Sequence, residues 1–332
     1  MSKILTITIP SYNVEKYIDK CVQSMLVESI LDDIEILIVN DGSKDSTPEI
    51  ARGYVEKYPK TVRLINKENG GHGSTINAGI REATGKYFKV VDGDDWLNSE
   101  RLENFIGLLK ARDEDVIASN FLCLRDETYE VLSEKYVASD KSLYGTVCDM
   151  DKGEVKDVIK MHGLTIRTSI LKENNITIDE HCFYVDCEYI AYPMPFVKTV
   201  YFDDEFIYMY RLGRNGQSMD IRSMQRNRAM HMKVLNSLLA FYDKLPDVTE
   251  AKKTYIERVI GQVVENQFQI YISMGMSKEI VKETRTWDMN LMKAYPRVAA
   301  SVTKKSITML RATNYSILPI GSFVLKIVKG YK

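Results

Sequence analysis

The feature that most constrains the fold is an alternation in the first 120 residues. Ile4–Ile9, Ile34–Val39, Val62–Ile65, Tyr87–Val91 and Val116–Ala118 are short, apolar and rich in β-branched side chains, and so read as strands. Between them stand helix-like stretches at Val14–Leu26, Thr47–Tyr58, Ser74–Ala83 and Arg101–Leu109. Strand alternating with helix predicts an α/β fold, a mostly parallel sheet with helices on both faces. Residues 120–212 are mixed, with Phe206–Leu212 strand-like. From about Ser223 helical periodicity takes over, at Met230–Tyr242, Ala251–Ile272 and Lys278–Tyr295. The expected organisation is an α/β domain over 1–220, a C-terminal helical region over 221–302 and a tail over 303–332.

In an open parallel sheet, ligands bind beyond the carboxyl ends of the strands. Three polar groups fall at such ends: Pro10-Ser11-Tyr12-Asn13, Asn40-Asp41-Gly42-Ser43 and Asp92-Gly93-Asp94-Asp95. Any one of them suits a solvated turn for local reasons, but three on one rim mark a site. The last group packs three carboxylates into four residues. Mutual repulsion there calls for a neutralising partner, and a hard divalent cation, Mg²⁺ or Mn²⁺, is the natural one. The competing reading is an acidic turn that caps the next helix.

An acid after the second strand, Asp41, also suits the ribose of a dinucleotide. That fold needs G-x-G-x-x-G after the first strand, and Pro10–Glu15 contains no glycine. A carboxylate can equally accept the ring N–H of a uracil. Asn69-Gly70-Gly71-His72-Gly73 opens a helix, where a Gly-rich backbone can approach a phosphate or sugar. It lacks the spacing of a P-loop. His72 reads either as a ligand-side residue or as a packed or capping histidine, with no second His or Cys at zinc spacing nearby.

The order P-S-Y-N, V-N-D-G-S-x-D-S-T, N-x-G-x-x-x-x-x-N-x-G and G-K-Y-x-x-x-x-D-x-D-D resembles glycosyltransferase family 2 over roughly residues 3–215. The resemblance implies a GT-A (Rossmann-like) fold, a nucleotide-sugar donor that is commonly UDP-linked, a divalent metal and inversion at the anomeric carbon. Matched by position, it puts Pro10, Tyr12 and Asp41, with Asn13 beside them, at the nucleobase. Asn69, Gly71 and Asn77 would line the donor. Asp92 and Asp94 fall on the family's Asp-x-Asp, Asp94 as metal ligand and Asp92 shared between metal and ribose. Asp186, in Phe183-Tyr184-Val185-Asp186-Cys187-Glu188, matches the catalytic base, and Glu188 a second acid near the acceptor. An acceptor hydroxyl is a poor nucleophile, so the chemistry needs such a base; without the resemblance Asp186 reads as a surface acid at a helix start. Tyr210-Arg211, with Arg214 and Ser218, resembles a segment near the diphosphate, although an ordinary salt bridge is the alternative for Arg211. His162 either borders the acceptor or is a packed histidine. Two positions depart from the family: Thr75-Ile76 replaces its Ala-Arg, and Val185 replaces a Glu. With no arginine available at that point, His72 is expected at the diphosphate or sugar.

The reading is therefore a metal-dependent inverting transferase that uses a UDP-sugar and a glycan or lipid-linked acceptor. A catalytically silent module that binds nucleotide or glycan is the alternative, but binding alone has no need of both Asp94 and Asp186. A sugar nucleotidyltransferase would need a Gly-rich basic loop after the first strand, which Pro10–Asn13 does not supply. Net charge is −1, giving no reason to expect nucleic acid. Five scattered cysteines without C-x-x-C spacing, and no signal-peptide pattern, suggest a cytoplasmic location. After Asp288 the chain has no acidic residue but eight Lys and Arg. Ile320, Phe323, Val324, Ile327, Val328 and Tyr331 form one helical stripe, with Lys326, Lys329 and Lys332 off it. Such a tail suits the surface of an anionic membrane, at its inner face; packing on the helical region is the other reading. The helices after 222 either pair subunits as a homo-oligomer or pack beneath the catalytic domain.

Overall fold

The computed structural model describes residues 3–213, 220–275 and 277–321. It divides into two units, Met1–Asn215 and Gly216–Lys332. The first unit begins β1 (Leu5–Ser11), α1 (Ile18–Gln23), β2 (Ile34–Asn40), α2 (Thr47–Lys57), β3 (Val62–Asn66), α3 (His72–Glu82) and β4 (Tyr87–Val90). It continues with β5 (Trp96–Leu97), α4 (Ser99–Ala111), β6 (Val116–Arg125), β7 (Val131–Lys135), β8 (Val147–Asp149) and β9 (Leu164–Arg167). The helices α5 (Thr168–Glu173) and α6 (Asp186–Ala191) lead to the long β10 (Thr199–Leu212).

The strands form one ten-stranded sheet in the order β3-β2-β1-β4-β9-β6-β10-β5, with β7 on β6 and β8 on β10. β1 to β4 are mutually parallel. β9 runs antiparallel to both β4 and β6, so β6 and its parallel neighbour β10 share the direction of β1. Both β1 and β2 are buried along their whole length, including the polar Thr6 and Thr8 of β1 and Glu35 of β2, and the Thr6 hydroxyl donates to Glu35 Oε1 at 3.2 Å across the pair. After β3 the chain returns to the other side of β1 to place β4. This reversal makes the β1/β4 junction the switch point at which a crevice opens beyond the carboxyl ends.

Three expectations shift. The strand predicted at Phe206–Leu212 is the second half of β10, and Val116–Ala118 is the start of a ten-residue β6. The helix predicted from Val14 starts only at Ile18. The N–H groups of Asn13, Val14 and Glu15 donate to Ser43 Oγ (3.0 Å), Thr47 Oγ1 (2.9 Å) and Asp45 Oδ2 (3.0 Å). Those amides are satisfied by side chains of the neighbouring loop, and the Val14 carbonyl accepts from the Tyr17 and Ile18 N–H groups (2.8 and 2.9 Å) in a turn that leads into α1.

The second unit holds α7 (Ile221–Arg226), α8 (Arg228–Asp243), α9 (Glu250–Met274), α10 (Lys278–Ala294), α11 (Pro296–Ala300) and α12 (Lys305–Ala312). The fully buried Asp288 ties α10 to the end of α12: Arg311 grips both its oxygens (2.8 and 2.9 Å) and Tyr315 donates at 2.5 Å. Of the apolar tail stripe only Ile320 is among the described residues; Phe323, Val324, Ile327, Val328, Tyr331 and their lysines lie outside them. Among the described residues no helix is long and apolar enough to cross a membrane.

Candidate active site

The loops after β1, β2, β3 and β4 are bound to one another by side chains. Pro10, buried in β1, accepts from the Gly93 N–H at 3.1 Å, and so joins the first loop to the acidic turn. Asn13, at a positive φ of 52°, accepts from the Lys44 N–H at 2.8 Å. Tyr12 is half exposed and lines a cleft of about 480 Å³ with Gly42, Lys44, Asn66, Lys67 and Asn69.

Asp41 is 2% exposed and organises the Gly-rich loop. Its Oδ1 accepts from Lys67 Nζ (2.7 Å) and the Gly70 N–H (2.9 Å), and its Oδ2 from the Gly71 N–H (2.8 Å). Asn69 Nδ2 donates to the Asp41 carbonyl at 2.9 Å. Lys67, not singled out from the sequence, is the counter-charge of this buried acid.

Beyond that loop lies residues 178–182, the segment that leads to Asp186. Gly71 (φ 83°) is the N-cap of α3, and a Cβ there would crowd the backbone amides of His181 and Cys182 at 3.3–3.4 Å. A Cβ at Gly73 would collide with the Asp179 carbonyl. Asn77, 4% exposed, pairs with Ile178 like a strand neighbour: its Oδ1 accepts from the Ile178 N–H (2.8 Å) and its Nδ2 donates to the Ile178 carbonyl (2.9 Å). Glu188 is fully buried and accepts from the Asp179 N–H at 2.7 Å. Asn77 and Glu188 therefore fix the start of this segment at two adjacent residues, Ile178 and Asp179. Replacing Gly73 with Ala is expected to destabilise the protein by about 1–3 kcal/mol, the usual cost of overpacking. A thermal or urea melt measures this, and an unchanged midpoint would reject the close-approach role.

The acidic turn is held from behind. Asp95 is 1% exposed; Tyr208 donates to its Oδ2 at 2.6 Å and the Arg211 N–H to its Oδ1 at 2.7 Å. Burial, with Asp94 and Asp92 beside it, pushes the Asp95 carboxyl well above the ordinary carboxylate range. Arg211 is 3% exposed, with Nε on the Asp94 carbonyl (2.6 Å) and a terminal nitrogen on Asp126 (2.9 Å). The rings of Tyr17, Trp96 and Tyr129 lie around its guanidinium. It is a buttress of the acidic turn, and its ion pair with Asp126 is the salt bridge of the alternative reading, with a partner the sequence did not name. Arg214 and Ser218 lie outside the described residues.

On the crevice side, His72 Nε2 is 2.7 Å from Asp92 Oδ1. Burial works against a charged ring, but Asp92, with smaller contributions from Asp186 and Asp94, outweighs it and raises the His72 pKa. Asp186, at the start of α6, has its pKa raised by burial, while His72 and Lys160 pull it down and Asp92 pushes it up. Asp186, His72 and Asp92 thus act on one another across three separate chain segments. Exposed Lys160 joins them, a residue that no sequence signal marked.

His162 is stacked on Phe121 (5.0 Å) and packed against Tyr208 (4.9 Å) and Tyr210 (4.2 Å). Burial lowers its pKa to about 4, so its ring is neutral at physiological pH. Among the described residues, Asp92, Asp95 and His162 offer ligand atoms within 4.8 Å of one another. The histidine expected at the acceptor stands beside the acidic turn. Below it the fully buried Lys89 donates to the His162 carbonyl at 2.9 Å.

The family model described as glycosyl transferase family 2 matches residues 6–182. EpsJ of Bacillus subtilis, an uncharacterized glycosyltransferase, is 37% identical over 121 residues, 36% of this chain and 35% of the relative. An uncharacterized glycosyltransferase of Rickettsia prowazekii is 33% identical over 221 residues, 64% of each chain. GgaB of Bacillus subtilis, a minor teichoic acid biosynthesis protein, is 27% identical over 73% of this chain, which spans only 26% of that relative. Among solved structures, residues 1–349 of Staphylococcus aureus TarS in complex with UDP-GlcNAc superpose with a TM-score of 0.66 and 18% identity, covering 99% of this chain and 93% of that one. That likeness is one of fold.

Proposed function

The chain belongs to glycosyl transferase family 2, and from that premise we propose that it moves a sugar from a UDP-linked donor to a hydroxyl of a glycan or lipid-linked saccharide, with inversion. The observation that carries this reading is the electrostatic coupling of Asp186, His72 and Asp92 beside the switch point. A carboxylate suited to act as a base, an acidic turn and a histidine 2.7 Å from that turn suit displacement of a diphosphate better than ligand binding alone.

In this reading the uracil enters the cleft beside Tyr12 and is faced by the Asp41 region, with Asn69 and Gly71 shaping the loop next to it. The diphosphate lies toward Asp92, Asp94 and His72. Asp186 takes the proton of the acceptor hydroxyl as its oxygen attacks the anomeric carbon, while the bond from that carbon to the diphosphate oxygen breaks. A base raised by burial is the stronger proton acceptor. Asn77 and Glu188 keep its segment in register, and Arg211 holds the acidic turn in shape.

The residues fit a hard divalent cation such as Mn²⁺ or Mg²⁺: burial first, and then the charges of Asp94 and Asp92, push Asp95 upward, and a cation would relieve the repulsion among the three carboxylates. Asp94 and Asp92 would hold it, with neutral His162 near Asp92 as a nitrogen donor. When bound, such an ion neutralises the departing diphosphate. The acid-free stretch after Asp288 supports a place at the inner face of the membrane, near a lipid-linked acceptor.

Calorimetry with UDP, with and without Mn²⁺, followed by a screen of UDP-glucose, UDP-galactose and their N-acetyl forms, tests the proposal. UDP binding strengthened by Mn²⁺ and turnover of one donor are expected. Binding without turnover of any donor would favour a silent module, and no UDP binding in either buffer would reject the reading. Within it, Asp41→Ala is expected to weaken UDP binding by about 1.5–3 kcal/mol, and bare pyrophosphate binding by less. Equal losses for both ligands would argue against a role at the base.

A further inference from the structure

The second unit contains a pocket of about 380 Å³, remote in sequence from every residue assigned above. One wall is Lys278, Val281, Lys282 and Arg285 of α10, spaced i, i+3, i+4 and i+7 and so on one face of that helix. The other wall is Asn314, Ser316 and Pro319. Three exposed cations therefore border one cavity, and none forms an ion pair among the described residues. The acids of α10 do not cancel them. Asp288 is ion-paired with Arg311 and accepts from Tyr315, Glu283 accepts from Tyr271 at 3.2 Å, and neither Glu283 nor exposed Glu279 makes an ion pair with the three cations among the described residues. The Asp288 network also fixes the walls, because it bonds α10 to the turn through Asn314 and Tyr315. Both turn residues are at positive φ, 48° and 65°.

We propose that this pocket takes the phosphate headgroup of an anionic membrane lipid. The three cations suit a phosphate, and the volume suits a headgroup. What favours a lipid over free phosphate is the apolar surface joined to the pocket. Val281 and Pro319 are part of its wall, Met289 (49% exposed) continues the α10 face at i+11, and Ile320 (63% exposed) directly follows Pro319. Met289, Ile320 and Met309 are the exposed large hydrophobic side chains of the second unit among the described residues. Cations set beside exposed apolar side chains match the headgroup boundary of an anionic bilayer. The pocket does not depend on the sugar-transfer reading, and a protein without transferase activity would still bind.

The test uses the full chain in flotation with phosphatidylcholine vesicles, with and without phosphatidylglycerol, at low and high salt. Salt-sensitive binding to the anionic vesicles alone is expected. Lys278→Gln/Lys282→Gln/Arg285→Gln should lower that affinity about tenfold to a hundredfold, while UDP binding stays as in the wild type. Should the triple variant fold poorly, Lys282→Glu alone should give a smaller loss in the same direction. A folded variant that floats like the wild type overturns the proposal. In a second arm, calorimetry compares short-chain phosphatidylglycerol with inorganic phosphate. Tighter binding of the lipid supports the proposal, and equal or tighter binding of inorganic phosphate overturns the lipid assignment.

Discussion

Asp186→Asn is expected to lower sugar transfer by roughly 10²-fold or more, the loss typical of a positioned base, while UDP and metal affinity stay nearly unchanged. The amide keeps the shape of the side chain and loses only its capacity to take a proton. The same assignment fixes a pH dependence. Burial holds the Asp186 pKa above the ordinary aspartate value, against the pull of His72 and Lys160. A base works only when deprotonated, so activity should fall as pH drops through that raised value. The acid limb should therefore lie above the usual aspartate range and be absent from the residual activity of the variant. Single-turnover rates across pH measure both effects. If Asp186→Asn keeps near-normal turnover the base lies elsewhere, and Glu188 is then a poor substitute: it is fully buried and already bonded to the Asp179 N–H.

The rim was legible because its residues sit at strand ends, and buried parallel strands have an unmistakable composition. The motif spacing carried the family. Less legible was what each motif residue does within the fold. The run Ser43-x-Asp45-x-Thr47 looks like a ligand loop, but its alternate side chains cap three consecutive amides of the first loop. Asn77 looks like a donor contact and instead extends the backbone pairing of Ile178, 101 residues away. Arg211 looks like a phosphate ligand and is enclosed by Asp126 and three aromatic rings. Such roles depend on which segment crosses which helix, and local spacing cannot encode that. Lys67 and Lys160 were missed for the opposite reason, since isolated lysines on loops look like any solvated charge.

Asp94→Asn is expected to reduce transfer to background, and chelation of the wild type should do the same. A neutral amide is a poorer ligand for a hard cation than a carboxylate, and without the cation the diphosphate must leave with its charge unscreened. The neighbouring acids predict a different outcome, which makes the test specific. Asp95 is buried, with both oxygens bonded to Tyr208 and to the Arg211 N–H. Asp95→Ala should therefore destabilise the turn itself, leaving buried donors unmatched at about 1–3 kcal/mol. Asp94 has its backbone carbonyl held by Arg211 Nε at 2.6 Å, so the turn can survive loss of the Asp94 carboxylate. The expected pattern is Asp94→Asn with a near-native melting midpoint and weak Mn²⁺ binding, against Asp95→Ala with a lowered midpoint. Mn²⁺ titration by calorimetry or electron paramagnetic resonance, alongside thermal melts, separates the two. Full activity in chelator-treated protein would remove the cation from the mechanism and with it the Asp-x-Asp assignment of Asp94.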